Sequence, residues 1–118
     1  MRRFNRQIGR LGEDAAAELL VKKGFEMVLR NYSTRYGEID LICRDKDVLV
    51  FVEVKTKKGL LFGQPEEMFT RKKYERVKRM AQVYLGGKEV PCRIDMVAVI
   101  LNHEEQALLI KHFQNVYF

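Results

Sequence analysis

The chain has 118 residues, of which 47% are hydrophobic and 32% charged, and its formal net charge is +6. This composition excludes an intrinsically disordered protein, and the length suits one domain over 1–118 with a core of its own. No apolar run approaches the roughly 20 residues of a membrane helix, and the basic start lacks the apolar stretch of a signal peptide. We therefore expect a cytoplasmic protein with no membrane partner, whose thiols at Cys43 and Cys92 stay reduced and structural.

The positive charge is concentrated in a few segments of the chain. Such clustering favours a polyanionic partner, because each phosphate that a basic side chain neutralises releases a counterion. A solvated face on a basic helix would give the same pattern, so charge indicates nucleic acid without establishing it. The candidate nucleic-acid-binding residues are Arg2, Arg3, Arg6, Arg10, Lys57, Lys58, Arg71, Lys72, Lys73, Arg76, Lys78 and Arg79.

The first predicted element is an amphipathic helix over 6–23 that ends at Gly24. Its apolar residues fall on one arc at a helical advance of about 100° per residue. Glu13 lies at the edge of that arc, whereas Asp14 and Glu18 point to the opposite side. Glu13 is therefore the helix carboxylate placed to lie against a sheet. A strand over 25–32 and a turn over 33–37 follow.

A hairpin of two apolar strands, over 38–43 and 48–55, is predicted next. Residues in a strand alternate between the faces of the sheet, so Glu53 and Lys55 project from the same face. The hairpin brings Asp40 to the same end of the sheet as those two side chains. The alternation assigns Ile39, Leu41 and Cys43 to one face of the first strand, and Glu38, Asp40 and Ile42 to the other.

The second half of the chain predicts a loop, a helix and two strands. The loop lies at 61–65, and a helix capped by Thr70 or by Glu66 and Glu67 runs to about residue 85, where two glycines stop it. Strands over 93–101 and 107–113 are joined by a polar turn. The order α-β-β-β-α-β-β predicts an α/β or α+β domain with helices against a central mixed β-sheet.

Asp40, Glu53, Lys55 and Glu13 form the candidate catalytic site. Two carboxylates beside an ammonium suit a divalent cation and a water molecule that attacks a phosphodiester. The Glu-x-Lys triplet carries little weight by itself, since chance supplies about one in a chain of this composition. Its setting in an apolar β-branched strand adds weight. A salt bridge of Lys55 is the alternative, although several carboxylates around one lysine resist joint ionisation without a cation.

Other polar residues have simpler interpretations. Asp95, inside an apolar strand, is expected to pair with Arg93, two residues away on the same face. His103 and His112 have no Asp or Cys at ligand spacing, so we expect surface histidines. Several tyrosines could stack on bases, but packing in or beside the core is the default role for Tyr32, Tyr36, Tyr74 and Tyr84.

Three motifs in fixed order resemble the YraN-type family of small bacterial proteins. They are GRLGEDAAAELLVKKGF at 9–25, RNYSTRYGEIDLI at 30–42 and VFVEVKTK at 50–57, and the similarity continues through the basic helix and RIDMVAV at 93–99. That family resembles the restriction-endonuclease-like nucleases, nearest in layout to archaeal Holliday junction resolvases. The resemblance implies a three-layer fold of the PD-(D/E)XK type and a phosphodiesterase that depends on Mg²⁺ or Mn²⁺.

The resemblance also implies a role for each site residue. Asp40, Glu53 and the backbone carbonyl of Val54 would bind the metal. Lys55 would orient or help deprotonate the attacking water and offset charge on the phosphorane. Glu13 matches the helix carboxylate of the resolvases, which acts directly or through a metal-bound water.

Two departures from the motif stand out. Ile39 occupies the place of the proline that names it, and Glu38 adds an acid whose role stays open. The leading hypothesis is a Mg²⁺-dependent endonuclease acting on DNA, with branched or non-duplex structures as candidate substrates. The alternative is a nuclease-like fold that binds nucleic acid or a protein partner without turnover. Resolvases act as dimers, so a homodimer is a further expectation.

Overall fold

The computed structural model of the protein describes residues 2–59, 67 and 69–117, with side chains from residue 6 onward. Its elements follow the predicted order, and they build a mixed sheet with one helix on each face. The predicted loop at 61–65 and the cap residue Glu66 lie outside the described residues. The elements are α1 (Arg2–Lys22), β1 (Glu26–Thr34), β2 (Gly37–Asp45), β3 (Val48–Lys58), α2 (Arg71–Leu85), β4 (Cys92–Leu101) and β5 (Ala107–Phe113).

The five strands lie side by side in the order β1-β2-β3-β4-β5. Strands β3 and β4 are parallel, and the other neighbouring pairs are antiparallel. A parallel pair needs a crossover connection, which here contains α2. The two central strands are buried runs of apolar residues, as expected for strands covered by helices on both faces.

Helix α1 covers one face of the sheet with the apolar arc that its sequence predicted. Ala16 and Leu20 are fully buried, and Glu13 is half-buried at the edge of the arc. The helix begins earlier than the predicted residue 6. The reason is that Arg2 and Arg3 support a helix well without contributing to an apolar period, so periodicity alone missed this first turn.

Helix α2 covers the opposite face and is capped at both ends. Thr70 is its N-cap: the hydroxyl accepts a hydrogen bond from the backbone N–H of Lys73 at 3.3 Å. Gly86, with φ of 57°, ends the helix in the left-handed conformation. Val77 and Met80 are buried against the sheet, and the four tyrosines considered above pack around this second core, as predicted. Within the described residues, no helix is long and apolar enough to cross a membrane.

The predicted alternation of β2 is wrong at Ile39. Ile39 and Ile42 belong to the core beneath α2, whereas Leu41 and Cys43 face α1. The pairing of β2 with β3 runs from Asp45 and Val48 to Leu41 and Val52 and ends there. The two strands therefore separate at Asp40. At that point β2 twists, so that Ile39 lies on the opposite face of the sheet from Leu41. We call this opening, between Asp40 on β2 and residues 53–55 on β3, the fork.

The prediction that His112 is a surface histidine is also wrong. Its side chain is 1% exposed, and its Nε2 lies 2.8 Å from Oδ2 of the fully buried Asp95. The predicted partner Arg93 is present too, with Nε donating to Asp95 Oδ1 at 2.9 Å. Sequence spacing could not reveal His112 as a partner, because the pairing of β4 with β5 sets the contact.

The two cysteines and His103 differ in their exposure. Cys43 is buried, and burial raises the pKa of its thiol to about 12, in keeping with a structural residue. Cys92 is exposed, so packing does not explain it. His103 is exposed, as predicted.

Candidate functional site

Asp40 stands at the base of the fork. Its Oδ2 accepts a hydrogen bond from the backbone N–H of Val54 at 2.7 Å. That N–H lies beyond the last paired residues of β2 and β3, so the carboxylate takes the place of a missing backbone acceptor. Because the N–H and C=O of one strand residue point to the same neighbour, the carbonyl of Val54 also points into the fork.

Glu53 brings a second carboxylate against Asp40. Burial and then the negative charge of Glu53, which lies within hydrogen-bonding reach, raise the pKa of Asp40 from 3.8 to about 8. The bond from Val54 opposes this rise, and the charge of Glu13 adds to it. Two carboxylates so placed hold one proton between them or need a cation.

Glu13 reaches the same place from α1. Its Oε1 accepts a hydrogen bond from Asn31 Nδ2 at 2.9 Å and lies 4.0 Å from the guanidinium of Arg30. Asn31 has a φ of 53° within β1, a conformation that asparagine tolerates better than most residues. Sequence reasoning missed Asn31, since nothing in its neighbourhood signals a left-handed residue inside a strand.

A close contact between α1 and β3 sets the position of Glu13. A Cβ on Gly12 would fall on the hydroxyl of Thr56 and within 2.7 Å of Thr56 Cβ and Cγ2. Only glycine therefore lets α1 approach β3 this closely, and the next residue is Glu13.

The α2 side of the fork carries positive charge. Burial and the neighbouring ammonium groups of Lys55 and Lys57 lower the pKa of Lys73 to about 8, while Glu53 opposes the shift. Lys73 thus lies near Lys55, a contact that the sequence prediction missed when it grouped Lys73 with the other basic residues of the helix. A signal was present: Lys73 precedes the buried Val77 and Met80 by one and two helical turns.

The fork fits a hard divalent cation by its donor atoms. Among the residues that the structure describes, no three His, Cys, Asp or Glu side chains form a ready-made metal cage. Mg²⁺, however, keeps several waters and binds through one or two carboxylates together with substrate phosphates. The carboxylates of Asp40 and Glu53 and the carbonyl of Val54 supply oxygen ligands of this kind, and Mn²⁺ accepts the same set.

A basic cleft lies between α2 and the turn that joins β1 to β2. The guanidinium groups of Arg35 and Arg79 lie 5.0 and 5.2 Å from the ring centre of Tyr36. The cleft measures about 260 Å³ and is lined by Tyr36, Lys72, Glu75, Arg76 and Arg79. Cations around an aromatic ring are a common surface for nucleic acid.

The other predicted contacts have plainer positions. Glu38 is exposed and accepts a hydrogen bond from the hydroxyl of Ser33 at 3.1 Å. Lys58 lies 3.8 Å from Glu105, and Lys57 is half-buried near Lys73. The side chains of Arg2 and Arg3 lie outside the described part of the chain. The exposed predicted contacts are Arg6, Arg10, Arg71, Lys72, Arg76, Lys78 and Arg79.

Comparison with known proteins gives one consistent family. Residues 12–99 match the model of the uncharacterised protein family UPF0102. A UPF0102 protein of Dictyoglomus turgidum is 39% identical over 116 residues, covering 96% of this chain and 98% of the relative. One from Symbiobacterium thermophilum is 48% identical over 99 residues (81% and 84%). One from Syntrophomonas wolfei is 41% identical over 119 residues (97% and 100%).

Proposed function

The chain belongs to the UPF0102 family, and from that premise we propose that it is a metal-dependent endonuclease that hydrolyses phosphodiester bonds of DNA. The family resemblance found in the three sequence motifs is confirmed, while its link to the nucleases stays a prediction. The observation that carries the proposal is the contact of the Asp40 and Glu53 carboxylates at the fork, with the ammonium groups of Lys55 and Lys73 opposite.

The stability of the fold does not explain why these like charges lie together at the fork. Two half-buried carboxylates in contact resist joint ionisation, and two neighbouring ammonium groups do the same. A fold that only needed to be stable would gain by replacing either pair with apolar residues. Groups kept in such an unfavourable arrangement are typical of sites that act on a charged ligand.

The proposed reaction is the attack of water on phosphorus. The water oxygen forms a new P–O bond, and the bond from phosphorus to the leaving oxygen breaks. One water proton ends on the leaving oxygen, so the products are a phosphate monoester and a hydroxyl. Lys55 orients the water and offsets the negative charge that grows on the phosphate oxygens.

The proposed cofactor is Mg²⁺ or Mn²⁺, held by Asp40, Glu53 and the carbonyl of Val54. When bound, the ion supplies positive charge that lowers the pKa of water and stabilises the phosphorane. Glu13 is poised to join the site directly or through a water molecule, because Asn31 already holds its carboxylate toward Asp40.

The proposed partner is DNA, met in the cytoplasm. The exposed cations of α2 lie on the same helix as Lys73, and α2 also forms one wall of the cleft around Tyr36. The phosphate backbone of one DNA strand would therefore run from the fork along α2. The proposal includes branched and non-duplex DNA among the substrates, and a homodimer as the form that would suit a four-way junction.

A second candidate function is binding without cleavage. It is favoured by the cleft at Tyr36, whose cations would hold a nucleic-acid backbone whether or not the fork binds a metal. A protein partner with an acidic surface would suit the same cations.

A cleavage assay separates the two functions. We expect the protein to cut at least one member of a panel of duplex, flapped and four-way DNA with Mg²⁺ or Mn²⁺. Replacement of Glu53 or Lys55 by alanine should reduce the rate by about 100-fold or more. Glu38→Gln and Lys88→Met, which remove the same charges at exposed positions outside the proposed DNA path, should leave the rate nearly unchanged.

The outcome that contradicts the enzyme proposal is no cleavage of any substrate, or equal cleavage by the Glu53 and Lys55 variants. Binding of the same DNA is then measured against salt. Affinity that falls steeply as salt rises, without cleavage, supports the binding module, whereas affinity that barely changes argues against phosphate contact altogether.

A further inference from the structure

Asn31 has a left-handed backbone inside β1. Its φ is 53°, whereas a residue of an antiparallel strand normally has a φ of about −140°. Arg30, the residue before it, donates to Asp14 of α1 at 2.7 Å. Tyr32, the residue after it, packs edge-on against Tyr84 of α2, with the ring centres 5.2 Å apart. Residues two apart in a regular strand share a face, so β1 reverses its faces at Asn31.

The neighbouring strand reverses its faces at the same level. Ile39 packs beneath α2, whereas Leu41 faces α1. The residues on either side of Asn31 pair with Leu41 and Ile39, so Asn31 stands opposite Asp40. The left-handed backbone of Asn31 therefore lets β1 follow the twist of β2, and the two strands stay paired on both sides of it.

The side chain of Asn31 holds a carboxylate of α1. Its Nδ2 donates to Glu13 Oε1 at 2.9 Å, and the guanidinium of Arg30 is farther from the same oxygen, at 4.0 Å. Glu13 is thereby held next to the strand position that faces Asp40. The electrostatics agree with this placement: burial and Glu53 are the main causes of the raised pKa of Asp40, and the charge of Glu13 adds to them.

We propose that Asn31 is a positioning residue of the fork: its amide holds the Glu13 carboxylate beside Asp40 as a further oxygen donor for the divalent cation. The inference rests on the proposed nuclease function and adds to it a residue of β1. An amide suits this role because its N–H₂ orients a carboxylate without bringing a positive charge that would repel the cation. Removal of a group that orients a metal ligand typically weakens metal binding by roughly 10- to 100-fold.

The plainer explanation is that Asn31 serves only the twist of β1. Asn31 is exposed, and glycine adopts a left-handed backbone at least as readily. That role predicts that Asn31→Gly leaves metal binding unchanged. Positioning predicts that the same variant keeps its fold and loses affinity for the cation, because the backbone is preserved and the amide is gone.

Thermal unfolding tests the role of the backbone. We expect Asn31→Gly to have a Tm close to that of the wild type. Asn31→Ala should have a Tm about 3–5 °C below that of Asn31→Gly, because an alanine side chain disfavours the left-handed conformation. Equal Tm values for the two variants would overturn the part of the inference that concerns the backbone.

Mn²⁺ binding, followed by the EPR signal of the free ion, tests the role of the amide without turnover. We expect Asn31→Gly and Glu13→Gln each to weaken Mn²⁺ binding by about 10-fold. The double variant should bind no more weakly than Glu13→Gln alone, because the amide acts through Glu13. Asn115→Gly makes the same change at another left-handed position, with φ of 54°, and should bind Mn²⁺ like the wild type.

The outcomes separate this inference from the nuclease proposal. Wild-type affinity in Asn31→Gly, or losses that multiply in the double variant, would overturn the inference and leave the nuclease proposal standing. The expected losses, in a protein that cuts no DNA, support the role of Asn31 and defeat the nuclease proposal. A wild type that binds no Mn²⁺ overturns the role of Asn31, and the cleavage panel then decides the nuclease proposal by itself.

Discussion

Asp40 has opposite effects on folding and on chemistry. Its carboxyl is buried beside Glu53 and near Glu13, which raises its pKa to about 8. A carboxyl whose pKa is higher in the folded than in the unfolded chain destabilises the fold when it ionises. The cost is absent below pH 3.8, grows as the pH rises, and is complete above about pH 8. A bound cation would remove this cost. Ionised Asp40 would therefore destabilise the fold without metal and would bind the cation when metal is present.

We expect Asp40→Asn to stabilise the metal-free protein, and increasingly so at higher pH. An asparagine still accepts the N–H of Val54 but carries no charge against Glu53. In EDTA, the gain in the free energy of unfolding should begin near pH 4 and be larger at pH 9 than at pH 5 by more than about 1 kcal/mol. Urea unfolding at the two pH values measures it.

The matched control is Glu38→Gln, an exposed carboxylate of the same strand. Its effect should be small and nearly independent of pH. An Asp40→Asn protein whose advantage stays constant between pH 5 and pH 9 would show that Asp40 and Glu53 do not oppose each other as the fork requires.

Sequence reasoning found the residues of the fork that lie on strands and missed those that reach it from elsewhere. Strand alternation was enough to place Glu53 and Lys55 on one face and Asp40 at the same end. The contacts of Asn31 with Glu13, and of Lys73 with Lys55, depend on how β1 and α2 sit on neighbouring strands. No spacing within one element encodes such a contact.

At the level of elements, the seating of α1 on β3 decides where Glu13 lies. Gly12 meets Thr56 with no room for a Cβ, whereas Gly9, one turn earlier, has no atom within 4 Å of the position a Cβ would take. Each glycine lowers the stability of the helix by a similar amount, because a glycine has more conformational freedom in the unfolded chain than an alanine and loses it on folding. They therefore form a matched pair that separates packing from propensity.

We expect Gly9→Ala to stabilise the protein by up to about 1 kcal/mol, because alanine favours a helix over glycine and nothing obstructs it. Gly12→Ala should destabilise it by about 1–3 kcal/mol, since its methyl group collides with Thr56, which is branched at Cβ and cannot swing away. Thermal unfolding of both variants measures the difference. Equal stability of the two would mean that α1 moves freely on β3, and that Gly12 does not fix Glu13.

The break in β2 is the element-scale feature that alternation could not predict. A strict period of two places Ile39 with Leu41, but Ile39 packs beneath α2 with Ile42. The period fails because β2 leaves β3 after Leu41, and a strand without its partner is free to turn. The prediction was thus wrong at the residue beside Asp40, where the sheet opens to form the fork.

At the scale of the whole molecule, a second charged network lies on the α1 face of the sheet. Asp95 accepts hydrogen bonds from Arg93 Nε at 2.9 Å and from the backbone N–H of Asn115 at 2.9 Å, and it contacts His112 at 2.8 Å. Arg93 also bonds Asp45 at 3.1 Å, next to the β2–β3 turn. The network thereby joins β2, β4, β5 and the segment after β5.

His112 contacts two further residues in this network. Its Nδ1 lies 2.9 Å from the Nζ of Lys23, just after α1. Its Nε2 lies 2.8 Å from Asp95 Oδ2, so the ring stands between Lys23 and the buried carboxylate. Phe25 packs edge-on against the ring at 5.6 Å, which excludes water from the contact. The network therefore connects the end of α1 with the last strand.

We expect Asp95→Asn to destabilise the whole protein by about 3 kcal/mol at neutral pH, because it leaves buried donors of Arg93 and His112 without a charged acceptor.

Burial alone would raise the pKa of Asp95, but the bonds from His112, Arg93 and Asn115 outweigh it and lower the pKa below 3.8. A carboxyl with a lowered pKa stabilises the fold above its unfolded value, and the contribution disappears as the pH falls through the folded value. The difference between wild type and Asp95→Asn should thus be full at pH 7 and shrink below about pH 4, when measured by urea unfolding. Asp47→Asn, at an exposed position of the β2–β3 turn, should show neither effect; a loss that persists unchanged into acid would mean that packing, not the charge of Asp95, holds these strands together.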